Sequence, residues 1–358
     1  MKSGLNFFPC FRPSEKPAER FYVEALKLSE DAERLDYASI KVVEHHGSPY
    51  GGYSPSPLIF LASIAQRTER VRLVTGAVIP AFSHPLRLAA ELAMVDCMSG
   101  GRLDAGFARA FLPHEFEAFG VGMEDSRPRF EEGIEAVRRL WTEDEVTFEG
   151  RFHSFEKFSL LPKPVQRPHP PIKVAAVSTP QSFQWAGEQG HGLMVVPYLS
   201  DFDDLAENLK LYRTSFRDAE REEPPPVSVV MHMLCASTDA TARDDGHRQM
   251  DQYLAVAKQA TAAWGRQSSS QYPGYEKVYN TLEALTYDRV LAEKRALVGS
   301  PETIAGQLID LEALFGPITI ELNTMFGDMD FATAERSVRL YGREALPGLA
   351  ERDATLVA

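Results

Sequence analysis

Cysteine is scarce in this chain, and the three present, Cys10, Cys97 and Cys235, stand far apart. They make neither a disulfide framework nor a C-x-x-C metal clip. Basic charge is scarce as well: 38 Lys and Arg face 51 Asp and Glu, for a formal net charge of −13. No Lys/Arg run offers a local exception, and because binding a polyanion rests on a basic patch and counterion release, nucleic acid is not an expected partner. Also missing is any window near the roughly 18 apolar residues that span a bilayer. The first ten residues hold one Lys and a short apolar stretch broken by Asn6 and Pro9, which is not the pattern of a signal peptide. The absences lead to the expectation of a soluble, acidic protein working in a reducing cytoplasm.

What is present is alternation. Short β-branched runs at 4–8, 38–43, 71–79, 103–108, 172–177, 193–196, 227–235 and 318–322 read as eight strands. Segments of helical period lie between them. Phe21, Ala25, Leu28, Ala32 and Leu35 fall on one face of a helix over 17–35, and Phe130, Ile134, Val137 and Trp141 mark another. Pro85 opens a third that stops at Ser99-Gly100-Gly101, and Ile304, Leu308, Leu311 and Phe315 mark a helix over 301–315. Eight strand–helix repeats point to a closed (β/α)8 TIM barrel in one domain over 1–358, rather than an open doubly wound sheet. Such a barrel takes about 250 residues. The surplus is expected as insertions at the C-terminal face, at about 142–171 and 265–295, one of them an active-site lid.

In that architecture the chemistry sits just past the strand ends. After strand two stand Glu44, His45 and His46; adjacent residues on an extended chain point to opposite sides, so the histidines do not converge on one metal ion. They suit acid/base work or hydrogen bonding to a cofactor, against the plainer reading of histidines that hold a turn. Strand three ends at Gly76-Ala77, where a glycine permits close approach of a flat ligand or is a simple packing residue. Strand four ends at Ala108-Arg109, Arg127 opens the following helix, and strand five runs into Ser178, Thr179 and Ser182 at a helix start. Each piece alone is an ordinary ion pair or N-cap. On one rim together they describe a phosphate clamp of two guanidinium forks and a helix N-terminus.

These residues resemble the bacterial luciferase-like flavin-dependent monooxygenases over nearly the whole chain. The resemblance is carried by Val43-Glu44-His45-His46, by Arg70-Val71-Arg72-Leu73 on to His84-Pro85-Leu86-Arg87, by the M-S-G-G-R-L-D turn before Asp104, and by Phe107-Ala108-Arg109. Asp125-Ser126-Arg127, Trp185-Ala186 and Leu297-Val298-Gly299-Ser300-Pro301-Glu302 follow in the same order. It implies a TIM barrel that usually dimerises, here a homodimer. It implies reduced FMN supplied by a separate NAD(P)H-dependent flavin reductase, with dioxygen adding to it as a flavin hydroperoxide that oxygenates a small apolar substrate, by hydroxylation or Baeyer–Villiger-type insertion. Arg109, Arg127, Ser178, Thr179 and Ser182 would hold the FMN phosphate, Gly76-Ala77 would be a non-prolyl cis peptide under the flavin ring, and His45 would be the catalytic acid/base. The substrate pocket would take in Phe7, His46, Ala108 and Leu112. Ala108 stands where luciferase has a reactive cysteine and Leu112 replaces an aromatic, so substrate and light emission stay open. The lid stretch Trp264-Gly265-Arg266-Gln267-Ser268 gives no clear match. Two other readings stay beside this one: hydride transfer with a deazaflavin, as relatives in the superfamily do, and a non-catalytic partner subunit, against which the intact histidines and phosphate residues argue.

Overall fold

The computed structural model describes residues 1–219, 221, 223–266 and 269–357, with side chains described as far as 352. The strands are β1 (Ser3–Phe7), β2 (Ser39–Val42), β3 (Arg72–Thr75), β4 (Leu103–Phe107), β5 (Val146–Glu149), β6 (Ser154–Phe158), β7 (Ile172–Ala176), β8 (Gly192–Val195), β9 (Val227–Cys235), β10 (Leu297–Gly299) and β11 (Ile318–Asn323). All eight expected strands form. In the order β11-β1-β2-β3-β4-β7-β8-β9 they pair in parallel, and β9 bonds to both β8 and β11, closing a (β/α)8 barrel. The three-residue β10 adds to the far end of β9 at Met233–Cys235, too short a run to read from the sequence.

The helices are α1 (Ala18–Arg34), α2 (Pro57–Ala65), α3 (Pro85–Met98), α4 (Pro113–Ala118), α5 (Ser126–Thr142), α6 (Pro180–Gln189), α7 (Phe202–Asp218), α8 (Asp239–Thr261), α9 (Tyr275–Ala284), α10 (Tyr287–Ala292), α11 (Pro301–Phe315), α12 (Phe331–Glu344) and α13 (Leu346–Val357). The periodic residues of α1, α5 and α11 are their buried ones: Phe21, Ala25, Leu28 and Ala32; Phe130, Ile134, Val137 and Trp141; Ile304, Leu308, Leu311 and Phe315. Each Leu, Ile, Val or Phe among them stabilises the helix-on-barrel layer by about 1.5–3 kcal/mol. The starts are set chemically, with Ser300 Oγ accepting from the Thr303 N–H and Asp201 capping α7.

The barrel floor departs from the usual branched aliphatic filling. Arg72 Nε donates to Asp104 Oδ1 at 2.7 Å, Lys173 Nζ lies 2.8 Å from Asp104 Oδ2, and Ser39 Oγ donates to Glu321 Oε1 at 2.9 Å. These charges sit at the closed end and leave the opposite end for the site.

Of the two expected insertions, 265–295 lies over the C-terminal end, where α9 packs on the turn that follows α8. The other corrects the expectation. Residues 142–171 join α5 to β7, and an αβ connection must return the chain to the starting end of the next strand. There they form the antiparallel β5–β6 hairpin, tied at its base by the Val165 and Gln166 N–H groups to Asp96. Its tip reaches back along α5, where the Phe152 and His153 N–H groups donate to Glu132. None of its residues lines the main cavity.

Candidate active site

The barrel mouth opens on a cavity enclosing about 1040 Å³ of atom-free space, part of it open to solvent. Its walls come from the ends of β1 to β4, from β7 to β9, and from the turns beyond them.

On one side stands His45. Its Nδ1 lies 3.0 Å from Oε1 of Glu115, a fully buried carboxylate on α4, and the same oxygen accepts the His46 N–H at 2.8 Å. A carboxylate only accepts, so the His45 proton sits on Nδ1 and Nε2 is the nitrogen free to exchange one. Burial alone would raise the Glu115 pKa. The hydrogen bond and charge of His45, the His46 N–H and His114 together bring it below the usual carboxylate value. Three aromatic rings surround His45, with centroids at 5.6 Å for Phe8, 5.2 Å for Tyr50 and 5.9 Å for Phe111.

Across the mouth is the cationic rim. Arg109, only 8% exposed, donates from Nη1 to the Gln271 carbonyl at 3.0 Å, and its guanidinium lies 4.7 Å from the centre of the Tyr272 ring. Arg127 Nη2 donates to Ser182 Oγ at 3.1 Å, in the first turn of α6. Burial and then the like charge of Arg109 pull the Arg127 pKa down, as two cations held close should. Thr179 occupies the N-cap of α6 yet makes no side-chain cap bond. Its Oγ1 and the Ser178 Oγ are buried without a partner in the protein. The plain N-cap reading therefore does not account for Thr179, which lines the cavity together with Ser182 and Arg109.

The Gly76-Ala77 peptide is cis, as the resemblance implied, and both residues line the cavity. A Cβ on Gly76 would lie 2.3 Å from Lys41 Cε, so this close approach of backbone to a buried side chain requires glycine. Ala108 lines the cavity as expected.

Three pocket expectations need correction. Phe7 is 1% exposed and packs outward on Phe60 of α2 at 5.7 Å, while its neighbour Phe8 lines the cavity. Leu112 is a fully buried core residue, and Phe111 takes the wall. His46 turns away from His45, its Nε2 3.0 Å from Glu44 Oε1 and its ring 4.7 Å from that of Phe119. All three follow from strand-like alternation, which sends consecutive side chains to opposite sides. Arg127 and Ser178 also stand behind the wall, Arg127 reaching the cavity edge through Ser182. Glu115, Lys41 and Tyr198 were not expected. A search for the carboxylate that a histidine base needs would have pointed to Glu115, which follows the strand-four turn.

The 265–295 segment closes over the rim. Trp264 Nε1 donates to the Phe111 carbonyl at 3.0 Å and the Tyr272 hydroxyl to the Ala110 carbonyl at 2.8 Å. Gln267 and Ser268, within the expected lid, lie outside the described residues. Among the described residues no cluster of His, Cys, Asp and Glu is arranged to hold a metal, and no helix is long and apolar enough to cross a membrane.

The cavity of the closed parallel barrel thus carries a histidine–carboxylate pair on one wall and a cationic, hydroxyl-bearing rim on the other. A family profile described as luciferase-like monooxygenase matches residues 1–316, and the chain belongs to that family. It is similar to the monooxygenase RslO1 of Streptomyces bottropensis, with 41% identity, a TM-score of 0.88, and coverage of 98% of this chain and 100% of that one. The oxygenase component of the flavin-dependent trigonelline monooxygenase of Acinetobacter baylyi is 34% identical over 235 residues, 64% of this chain and 63% of that protein. The chain thus spans somewhat less than two thirds of that relative's length. The oxygenating constituent of 3,6-diketocamphane monooxygenase from Pseudomonas putida, solved in complex with FMN, shares the fold at a TM-score of 0.81 and 19% identity, over 97% of this chain and 98% of that one.

Proposed function

We propose that this protein is the oxygenase component of a two-component flavin monooxygenase. It takes reduced FMN from a separate NAD(P)H-dependent reductase and adds one atom of dioxygen to an organic substrate with an apolar body. One observation carries the reading: the buried, partnerless Thr179 hydroxyl lines the cavity with Arg109 and with Ser182, which Arg127 holds from behind, a donor set that fits a phosphate monoester. Bound reduced FMN supplies the electrons with which one oxygen atom enters the substrate and the other leaves as water. The protein's own work is binding and proton control. Arg109, Thr179 and Ser182, with Arg127 behind Ser182, would hold the phosphate, Gly76 and Ala77 would offer a side-chain-poor surface to the ring, and Phe8, Tyr50 and Phe111 surround His45 with apolar rings. His45, held through Nδ1 by Glu115, exchanges the proton at Nε2. The outcome is hydroxylation or Baeyer–Villiger-type insertion.

A homodimer fits the exposed apolar side chains on the packed helices α2 and α3, Ile59 near the start of α2 and Met94 and Met98 near the end of α3. Three free cysteines, two of them buried, fit a reducing cytoplasm.

Fluorescence titration with oxidised FMN, and anaerobic titration with reduced FMN and with a reduced deazaflavin, tests the reading. Micromolar or tighter binding of reduced FMN, weakened by excess phosphate, is the expected result; binding of the deazaflavin alone would overturn it.

A further inference from the structure

Beneath the histidine side, the barrel interior carries a row of polar side chains that neither the rim nor His45 uses. Strand register sets Lys41 of β2 beside Asn6 of β1, Asn6 beside Asn323 of β11, and Asn323 beside His232 of β9. Side-by-side partners in a parallel sheet share a face. Lys41 and Asn6 line the cavity, and each of the four residues is 2% exposed or less. Asn6 Oδ1, Asn323 Oδ1 and Nδ2, and His232 Nε2 are all buried with no partner in the protein. Each unpaired group costs about 1–3 kcal/mol, whereas an apolar side chain of similar size would cost nothing. Packing does not explain the row.

Position and charge do. Around the barrel, β4 and β7, which lead into the phosphate rim, stand diametrically opposite β11 and β1, which carry the centre of the row. The row shares β2 with His45 and lies on the same wall as Phe8, below Tyr50. Burial pushes the Lys41 amine down to about 8, partly opposed by the Glu321 carboxylate. Glu321 is an incomplete counter-ion: burial raises its own pKa, and it is engaged by Ser39 Oγ at 2.9 Å. His232, pushed by burial to about 3, is a neutral imidazole with its ring against Tyr198 at 4.8 Å.

We propose that this row is a subsite for an acidic oxygen of the substrate, a carboxylate, phenolate or enolate on an unsaturated ring, with Lys41 as its counter-ion and the Asn323 amide as its hydrogen-bond donor. The acceptors Asn6 Oδ1 and Asn323 Oδ1 suit a hydroxyl on the same ligand. The inference rests on the oxygenase reading and sharpens its apolar substrate to a planar, aromatic-walled body with a polar buried end. Lys41 is a binding residue here, not an acid/base.

Calorimetric titration of the full-length protein with naphthalene-2-carboxylate and with its uncharged isostere 2-methylnaphthalene, with and without FMN, tests it. The carboxylate should bind at least about tenfold more tightly, and Lys41→Met should remove most of that preference. Asn323→Leu and Asn6→Leu, checked for folding by thermal melts, should each cut it about threefold and carry the test should Lys41→Met not fold. Lys41→Met should weaken FMN far less than loss of Arg109 does, because it leaves the phosphate rim on the opposite wall intact and touches the cofactor surface only from beneath Gly76. Equal affinity for the two probes in the natural protein, or a preference that survives Lys41→Met, overturns the subsite. So does a Lys41→Met protein that loses FMN while keeping the probe preference, since the row would then serve the flavin ring. A natural protein that shows the preference but binds no FMN supports the subsite and overturns the oxygenase reading instead.

Discussion

On the β2 side of the cavity mouth the two histidines are already held: Glu115 accepts from His45 and the His46 N–H through Oε1, its Oε2 staying buried without a partner, and Glu44 holds His46 and, through Oε2, the Ile79 N–H. On the β4–β7 side, Ser178 Oγ and Thr179 Oγ1 are buried with no partner, and Arg109 spends a donor on a lid carbonyl. A group that must hold a proton at a set position is built with its partners in place, because orientation and tautomer are part of its function. A group that must hold a ligand's charge is built with bonds left to make, because each bond completed by the ligand adds to affinity. On the function proposed above, the contrast puts proton chemistry on one side and cofactor binding on the other, and substitutions on the two sides should separate along that line.

The largest effect is expected at the paired side. His45→Ala should lower product formation about 10²–10⁴-fold, the usual contribution of a positioned acid/base, while the FMN dissociation constant stays within about twofold. Single-turnover product yield beside an FMN titration reads both. A variant that loses FMN instead would erase the division between the sides. Next is Arg109→Ala, which removes a charge-assisted bond worth ~2–3 kcal/mol and should weaken FMN about 30- to 150-fold. Product yield at saturating FMN should stay near the natural level.

Glu115→Gln probes the paired side more gently. The amide still accepts from His45 Nδ1 but no longer favours a charged imidazole, and a rate loss of about tenfold, or ~1.4 kcal/mol, is expected. The substitution also has a pH signature. The Glu115 carboxyl is held below its ordinary value in the folded protein, so its pairing stabilises the fold at pH above the unfolded-state pKa of about 4.3 and is lost as pH falls through the folded value. Thermal melts from pH 8 to pH 3 should show the natural protein more stable near neutrality by ~1–2 kcal/mol, with the gap closing in acid. A gap that widens in acid would mean that Glu115 is protonated in the fold.

The two sides were unequally legible in the sequence. The rim residues lie directly past strand ends at 108–109 and 177–182, so locating the strands located them, and hydrophobic periodicity located the strands. Glu115 is 70 residues from His45, and only the closed barrel brings them together. Phe7 and Leu112 were misplaced by one residue each. The pleat decides which of two neighbours faces inward, and its phase could have been taken from Asn6: a residue that lines the cavity sends Phe8 inward with it and Phe7 outward. The β5–β6 hairpin was hidden because the stretch that follows it, 162–171, is Pro-rich, and its place at the opposite end follows from the connection, which length alone did not suggest. The Lys41–Asn6–Asn323–His232 row exists only in the strand register, which no local pattern encodes.

The smallest effect concerns the lid that joins the two sides. The Tyr272 hydroxyl donates to the Ala110 carbonyl at 2.8 Å while its ring lies against the Arg109 guanidinium, 4.7 Å from the ring centre. Tyr272→Phe keeps the ring and removes a buried hydroxyl donor shared between the Ala110 and, at 3.3 Å, the Arg109 carbonyls, worth ~1 kcal/mol, so the 271–275 segment should open about fivefold more often. Amide exchange over residues 271–275 of the FMN-free protein should speed up by that factor. FMN should bind no more weakly, because the Gln271 carbonyl and the phosphate compete for Arg109 Nη1, and a looser lid yields that donor more readily. If exchange is unchanged, the Trp264 and Ser269 contacts hold the segment by themselves. If FMN instead binds more weakly, the lid is a wall of the phosphate site rather than a competitor for it, and the rim would then be as fully built before binding as the histidine side.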